Sequence, residues 1–296
     1  MQKINLVVAI LMVGLLAVSC TSGPPDSNAP VEGESRAHIE VKGSDTMVNL
    51  ALAWAEAYQE VDPFISISIT GGGSGTGIAA LLNNTVDIAN ASRQIKPEEI
   101  AQAHSLGIEP YEIIVARDAV AVIVNPANPI DHLSMQQISD VYQGKYSNWQ
   151  ELGGEDRPIV RVSRESNSGT HVYFLETVLR LGDPEDNSLF DPNTLLLPSS
   201  EGIIAEVRDN PNAIGYDGLG YVTPEVKVLG IVTSPGSPPI TPSIASVNQG
   251  IYPIARDLFS YTDGEPQGAI KAYLDWILSE QGQDIVQKLG FISVGP

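Results

Sequence analysis

Three short loops of this sequence combine glycine with serine or threonine, residue types that can surround a small anion. They read GSDT at 43–46, GGGSGTG at 71–77 and SNSGT at 166–170. Each follows a predicted strand and precedes a predicted helix, so unpaired N–H groups at the positive end of a helix dipole face the loop. Glycine lets the backbone approach a ligand closely, and hydroxyls are neutral hydrogen-bond donors. The loops together predict a site for a tetrahedral oxyanion, with the candidate ligands Ser44, Asp45, Thr46, Ser74, Gly75, Ser168, Gly169 and Thr170.

One such loop alone is more simply explained by turn glycines and a helix cap, since serine and threonine are common N-caps. Three of them, on both sides of a long extended segment, favour the anion site. Two nucleotide-binding motifs are excluded by spacing. A P-loop needs a lysine directly after its last glycine, where this chain has Ile78, and no three glycines of 71–77 have the GxGxxG spacing.

Two charged residues would shape this site. Arg164 ends a predicted strand four residues before Ser168, and a guanidinium can hold two oxygens of an oxyanion. The alternative is a surface ion pair with a neighbour such as Glu165. Asp45 would repel an anion unless the anion keeps a proton that the carboxylate can accept, which would select phosphate over sulfate. The alternative for Asp45 is a helix cap.

Signals for catalysis or for a metal are missing from the sequence. The histidines do not form a metal-binding motif, and no GxSxG nucleophile motif occurs. We therefore expect a binding protein that is not an enzyme and has no cofactor and no metal. A phosphoester hydrolase that uses a loop serine would lack a paired base. The four scattered histidines are His38, His104, His132 and His171.

The first 20 residues are typical of an export signal. Leu6–Val18 is a run of 13 apolar residues, too short to span a bilayer, and it ends in the motif AVSC at 17–20. This ending resembles a lipobox, which predicts that Cys20 is lipidated; ordinary secretory cleavage is the alternative. Residues 21–38 are polar and rich in Pro, Gly and Ser, as in a flexible tether. The sequence thus predicts an exported protein, lipid-anchored at the outer face of the cell membrane.

The net charge of −20 argues against nucleic acid as a partner and against electrostatic docking on anionic lipid. We expect contact with the membrane through the lipid anchor only. The simpler explanation of the acidity is solubility.

Strand, loop and helix alternate three times after residue 38, which predicts an α/β fold with a parallel sheet. The long apolar segment 112–125 and the segment 251–259 would cross between two lobes. Lobe 1 would then comprise 39–117 and 250–296, and lobe 2 would comprise 118–249. The apolar periodicity of 269–289 predicts one C-terminal helix.

Several segments, taken jointly and in order, resemble the phosphate-binding protein family of the Pst-type ABC importer (the PstS family). They are KGSDTMVNLALAWAEAY, GGGSGTGIAALLNNTVDIANASR, AVIVNPANPI, QISDVYQGKYSNWQELGG, SRESNSGT and AIGYDGLGYV. The resemblance implies a two-lobed periplasmic-binding-protein fold of type II, with phosphate in the cleft between the lobes. It also implies delivery to ABC permease subunits driven by a separate ATPase, and we expect a monomer.

The resemblance assigns ligand roles to matching positions. Ser74, Arg164, Ser168, Gly169 and Thr170 match family ligands, while Asp45 and Thr46 fall on the first loop that touches the anion.

This chain also departs from the family pattern at two positions. Ser92 stands where some members have a proton-accepting aspartate, so Ser92 joins the candidates and Asp45 becomes the candidate acceptor. Ser166 stands where some members have an aspartate. A receptor or sensor for another tetrahedral oxyanion is the alternative function.

Overall fold

The computed structural model describes residues 37–294. The predicted signal peptide 1–20 with Cys20, and all but the last two residues of the predicted tether, lie outside the described residues. The first strand begins at Ala37, two residues before the predicted start of the folded body. Within the described part of the chain, no helix is both long and apolar enough to cross a membrane.

The strands of the described chain are β1 (Ala37–Gly43), β2 (Ile65–Thr70), β3 (Ile88–Ala91), β4 (Pro110–Val124), β5 (His132–Ser134), β6 (Val160–Arg164), β7 (Leu195–Leu197), β8 (Ala213–Gly218), β9 (Lys227–Val228), β10 (Gly230–Val232) and β11 (Ala255–Asp263). The α-helices are α1 (Val48–Val61), α2 (Ser74–Leu82), α3 (Pro97–Ser105), α4 (Met135–Tyr142), α5 (Gly169–Phe174), α6 (Ser200–Asp209), α7 (Ile244–Asn248), α8 (Gly268–Ile277) and α9 (Glu280–Lys288). Short 3₁₀ turns lie at Asp45–Met47, Trp149–Leu152 and Leu219–Tyr221, and a π-helical turn at Leu175–Leu179 extends α5.

One continuous sheet connects most of these strands in the order β2-β1-β3-β11-β4-β8-β6-β7, with β9 paired to β4. At one end β1 pairs in parallel with β2 and β3, and at the other end β6 pairs in parallel with β7 and β8. In the middle β11 runs antiparallel to both β3 and β4. The α/β class is confirmed, but the sheet is mixed rather than wholly parallel, because the crossing strands run in opposite directions.

The long strand β4 belongs to both halves of this sheet. Its residues 110–119 pair with β11, and its residues 120–124 pair with β8. The return strand β11 begins at Ala255, four residues later than predicted, directly after the segment that contains Pro253. Proline has no N–H for a ladder hydrogen bond, which favours a strand start after it. The two crossing segments expected from the sequence are therefore present as β4 and β11.

Buried apolar side chains form separate clusters on the two halves. One cluster surrounds Trp54 between β1 and the C-terminal helices, and another surrounds Trp149 and the end of β4. Along β4, Ala116 belongs to the first cluster and Ala119 to the second. The predicted lobe boundaries, 39–117 with 250–296 and 118–249, stay a prediction.

The C-terminal helix is broken, so the prediction of one helix over 269–289 is wrong. Helix α8 ends at Ile277 and α9 begins at Glu280. Ser279 stands between them as the N-cap of α9, and its side chain accepts a hydrogen bond from the N–H of Gly282. Serine is among the most favoured N-cap residues, so a new helix start competes with continuation of the first helix.

Candidate anion-binding site

Three serines meet where the parallel strands β1, β2 and β3 end. The carboxyl ends of parallel strands lie at the same edge of a sheet, so the loops that follow them converge. Ser44 Oγ donates to Ser92 Oγ over 3.0 Å, and Ser74 Oγ lies 3.3 Å from Ser92 Oγ. The backbone N–H of Ser92 also donates to Ser74 Oγ over 3.0 Å. All three side chains are buried, and this group is called the serine cluster below.

The glycine loop positions Ser74 at the start of α2. Gly73 has a φ of 90°, a left-handed conformation that favours glycine, and it turns the chain from the loop into the helix. A Cβ added at Gly73 would lie 2.8 Å from the carbonyl oxygen of Asn167. Any side chain at residue 73 would therefore push the Asn167 loop of the other half away.

The loop after β6 brings a second set of groups to the serine cluster. Ser168 is the N-cap of α5, and its Oγ accepts from the N–H of Thr170 over 3.2 Å. A Cβ added at Gly169 would lie 2.3 Å from Ser74 Oγ and 2.6 Å from Ser92 Oγ. The helix start of α5 thus packs directly against hydroxyls of the other half, with room for no side chain between.

Hydrogen bonds join the loops of the two halves. Thr46 Oγ1 and Thr170 Oγ1 are 2.8 Å apart and hydrogen-bonded. The N–H of Gly75 donates to the carbonyl oxygen of Asn167 over 3.0 Å, so this predicted ligand group is engaged in the contact between loops. The structure therefore has the two halves closed on one another.

Arg164 ends β6 and reaches across to the other half. Its side chain is 1 % exposed, and Nη2 donates to Asp45 Oδ2 over 2.6 Å. The other oxygen of Asp45 accepts from the N–H of Gly72 over 2.8 Å. Both alternatives drawn from the sequence are wrong, because Arg164 pairs with Asp45 rather than Glu165, and Asp45 does not cap its own helix.

A second carboxylate lies behind Arg164. Asp217 is fully buried, and its Oδ1 accepts from Ser200 Oγ over 3.0 Å and from the N–H of Gly218 over 2.7 Å. Its Oδ2 is 3.8 Å from Arg164 Nη1 and makes no hydrogen bond with any described residue. Burial raises the pKa of the Asp217 carboxyl to about 6, against the opposing effect of Arg164.

A second arginine, which the sequence analysis did not find, joins the hydroxyls of the two halves. Arg256 of β11 donates from Nη2 to Thr170 Oγ1 over 2.9 Å and to Thr46 Oγ1 over 3.4 Å. Its Nη1 donates to the carbonyl oxygen of Ser92 over 3.0 Å. Asp118 of β4 holds the same guanidinium, with its Oδ2 2.9 Å from Nη2. Both charged side chains are buried, and burial raises the pKa of Asp118 although Arg256 opposes this.

The sequence did contain a signal for this pair. The tripeptide ARD occurs once in each crossing strand, at 116–118 and at 255–257, inside segments that are otherwise apolar. A charge within an apolar strand needs a partner, because a buried unpaired charge is costly. The register that pairs the two tripeptides was not evident from one sequence.

One of the four histidines, His171, lies near this site but bonds to other groups. His171 follows Thr170 and is buried, with its Nδ1 3.1 Å from Ser163 Oγ and its ring near Phe190. Burial lowers the pKa of His171. Among residues 37–294, no group of three or more His, Cys, Asp or Glu side chains is arranged to hold a metal ion.

The structure brings the predicted residues together in two adjoining groups. Arg164 and Asp45 form one group, beside the glycine loop. Hydroxyls and a helix start form the other, with Arg256 and Asp118 at its edge. The second group comprises Ser44, Thr46, Ser74, Ser92, Ser168, Gly169 and Thr170.

Two sheet halves joined by two crossing strands, with glycine and hydroxyl loops from both halves closed on a buried polar site, define a two-lobed solute-binding protein. A family model described as a PBP superfamily domain matches residues 28–281. The type II periplasmic-binding-protein fold expected from the sequence is confirmed.

Named relatives narrow this class to one family. The phosphate-binding protein PstS of Pseudomonas aeruginosa is 33% identical over 267 residues, which cover 84% of this chain and 81% of the relative. The phosphate-binding protein PstS of Bacillus subtilis is 30% identical over 302 residues, covering 99% of this chain and 95% of the relative. The chain belongs to the PstS family, as the resemblance in its sequence indicated.

Solved structures are similar over most of the chain. A substrate-binding protein of Clostridium perfringens, crystallised with bound phosphate, has a TM-score of 0.77 and 34% identity, covering 87% of this chain and 99% of its own. An ABC-type phosphate transport receptor of Vibrio cholerae has a TM-score of 0.68 and 25% identity, covering 87% of this chain and 100% of its own.

Proposed function

We propose that this protein binds inorganic phosphate outside the cell membrane and delivers it to the permease of an ABC importer driven by a separate ATPase. The observation that carries the proposal is the closure of two hydroxyl-rich helix starts on each other, with Thr46 hydrogen-bonded to Thr170 and Gly169 packed against Ser74. Relatives named for phosphate binding support it, and they are binding proteins rather than enzymes.

The hydroxyls now bonded to one another across the two halves would turn to the anion. When the lobes part, the hydrogen bonds from Thr46 to Thr170 and from Gly75 to Asn167 must break. A phosphate ion bound between the loops would offer oxygens to the same donors, so closing the lobes over it restores their hydrogen bonds. Hinge closure of this kind would use β4 and β11, which connect both halves.

Arg164 would supply the positive charge that attracts the anion, and Asp45 would select phosphate over sulfate. Arg164 is already desolvated, so its attraction for an oxyanion is stronger than at an exposed site. Asp45 lies against Arg164 and the N–H of Gly72, where its carboxylate would accept the proton of a protonated phosphate oxygen. Sulfate has no proton at neutral pH and would place two acceptors in contact, which is unfavourable.

Anchoring by a lipid at Cys20 is the second part of the proposal. The apolar run Leu6–Val18, which ends in the motif AVSC at 17–20, supports it, together with the polar segment 21–36 that would act as a tether. The lobes would then work as a monomer close to the permease. A Cys20→Ser protein that is no longer recovered with membranes would support this anchor, and one that stays membrane-bound would contradict it.

Calorimetric titration of residues 21–296 tests the binding function directly. The protein is first partly unfolded, dialysed free of carried-over ligand and refolded. We expect one phosphate per chain and no heat with sulfate at neutral pH. A Ser74→Ala variant should bind more weakly, while Ser105→Ala, on an exposed helix end, should bind as the parent does. Folded protein that takes up another oxyanion but no phosphate would contradict the proposal.

A further inference from the structure

The two ARD tripeptides of the crossing strands pair with each other in antiparallel register. Arg256 stands opposite Asp118, and Asp257 stands opposite Arg117. Successive side chains of a strand point to opposite faces, so one ion pair faces inward and the other outward. The inner side chains are 3 % and 0 % exposed, whereas those of Arg117 and Asp257 are 49 % and 37 % exposed. The same sequence thus supplies a buried ion pair and an exposed counterpart one residue away.

The inner arginine restricts the hydrogen bonds that two predicted ligands can make. A threonine hydroxyl has one proton to donate and two lone pairs to accept with. Arg256 Nη2 has two protons for three acceptors: it donates to Asp118 Oδ2 and to Thr170 Oγ1 over 2.9 Å each, and makes a longer, shared contact of 3.4 Å to Thr46 Oγ1. Each threonine oxygen therefore turns a lone pair toward the guanidinium. A hydroxyl that accepts from an arginine turns its own proton away from that arginine. In this structure one of the two hydroxyls gives its proton to the other, which leaves the pair one proton to donate. When an anion replaces the hydrogen bond between them, both hydroxyls are prepared to donate.

Arg256 also connects the two halves of the molecule. Thr46 precedes α1 in one half, and Thr170 lies in the first turn of α5 in the other. The guanidinium is held from behind by Asp118 and by the carbonyl oxygen of Ser92. It lines a neighbouring cavity of about 540 Å³ and lies 5.4 Å from the ring centroid of Tyr173. Contacts to Thr46 and Thr170 together are possible only when the halves are closed.

We propose that Arg256, held by Asp118, is a positioning residue of the phosphate site that orients the hydroxyls of Thr46 and Thr170 as donors and stabilises the closed form. This inference rests on the proposed binding of phosphate. It assigns Arg256 a role through the two hydroxyls, distinct from the direct contact to the anion proposed for Arg164.

The test compares phosphate affinity and release rate in matched variants of residues 21–296. Arg256→Lys keeps a positive charge beside Asp118 but loses the planar fork that reaches several acceptors at once. The double change Arg256→Gln with Asp118→Asn removes both buried charges together, so neither is left unpaired. We expect each variant to bind phosphate at least tenfold more weakly, mainly through faster release. The control is Arg117→Gln with Asp257→Asn on the exposed pair, which should stay within twofold of the parent.

A double-mutant cycle with Thr170→Val separates positioning from general damage. If Arg256 acts through this hydroxyl, its replacement should weaken binding much less in the Thr170→Val background than in the parent. Fully independent losses, or parental binding by both Arg256 variants, would overturn the inference while leaving phosphate binding intact. A parent protein that binds no phosphate would instead overturn the proposed function, and this inference with it. Circular dichroism and melting without phosphate establish that the variants compared are folded.

Discussion

Arg164 and Asp45 are 119 positions apart in the chain, yet the buried guanidinium and the partly buried carboxylate form an ion pair with 2.6 Å between Nη2 and Oδ2. The pair joins the loop after β1 in one half to the end of β6 in the other. Asp217 lies on the far side of the same guanidinium, 3.8 Å away. Closure of the two halves therefore brings together a cation that would attract phosphate and a carboxylate that would accept its proton.

Replacing Arg164 with alanine should weaken phosphate binding at least tenfold, equivalent to about 1.4 kcal/mol. The change removes the positive charge closest to Asp45 and leaves two carboxylates without their counterion. Calorimetry measures the affinity, with Arg208→Ala as a control because Arg208 pairs with Asp209 at the exposed end of α6. Unchanged phosphate affinity in Arg164→Ala would show that Arg164 does not contribute to binding the anion.

Changing Asp45 to asparagine should reduce discrimination between phosphate and sulfate. The amide can donate to a fully ionised oxygen, so sulfate should gain affinity relative to phosphate by about tenfold or more. Competition between the two anions gives the ratio directly. Asp62→Asn, at the C-cap of α1, serves as the control. A ratio that stays at the parental value in Asp45→Asn would mean that another group accepts the proton.

Adding a methyl group at residue 169 should block closure. The Cβ of alanine would stand 2.3 Å from Ser74 Oγ and 2.6 Å from Ser92 Oγ, closer than side chains can approach. We expect Gly169→Ala to lose phosphate affinity by more than tenfold while the ligand-free protein melts near the parental temperature. Gly202→Ala is the matched control, since its Cβ meets no atom closer than 3.4 Å near the start of another helix. Parental affinity in Gly169→Ala would show that the loops need not approach this closely.

Asp217 should make stability depend on pH. Burial raises its pKa to about 6 in the folded protein, above the ordinary value of 3.8, so the folded state binds more protons between these values than the unfolded state does. Its contribution to the free energy of unfolding therefore falls as the pH rises from about 4 to about 6. Asp118 also has a raised pKa and acts in the same direction.

The Asp217→Asn variant isolates this contribution. Its stability relative to the parent should be most favourable at pH 7 and should decline as the pH falls toward 4, where the parent's carboxyl is protonated. Urea unfolding at several pH values measures the difference, without phosphate present. A stability difference that is flat across this range would contradict a raised pKa at Asp217.

The sequence was sufficient to predict those parts of the candidate site whose arrangement is local. Gly73, Ser74 and Ser168 belong to short patterns of glycine and hydroxyl residues directly before helices, and such patterns have local causes. The prediction was insufficient where a contact depends on strand register. The partner of Asp118 is 138 positions away and is defined only by how β4 aligns with β11.

Local competition explains the error in the C-terminal helix. The apolar periodicity continues through 269–289, but Ser279 offers a cap that starts a second helix. The periodicity of apolar residues shows which face of a helix is buried, but it does not reveal an interruption such as the one between α8 and α9. For Arg164 the sequence offered a local ion pair with Glu165, and for Asp45 it offered a helix cap. In the structure the two side chains pair with each other instead.

The position of β11 has a consequence for how the chain reaches this structure. Among the strands β11 is synthesised last, yet it lies between β3 and β4 in the middle of the sheet. Until residues 255–263 are available, β3 and β4 each have an open edge, and exposed edges of this kind promote aggregation. The N-terminal half therefore cannot complete its sheet during synthesis. This order delays completion of the half that contains β1 to β3 until the chain has been made almost in full, which would suit the export across a membrane that is proposed above.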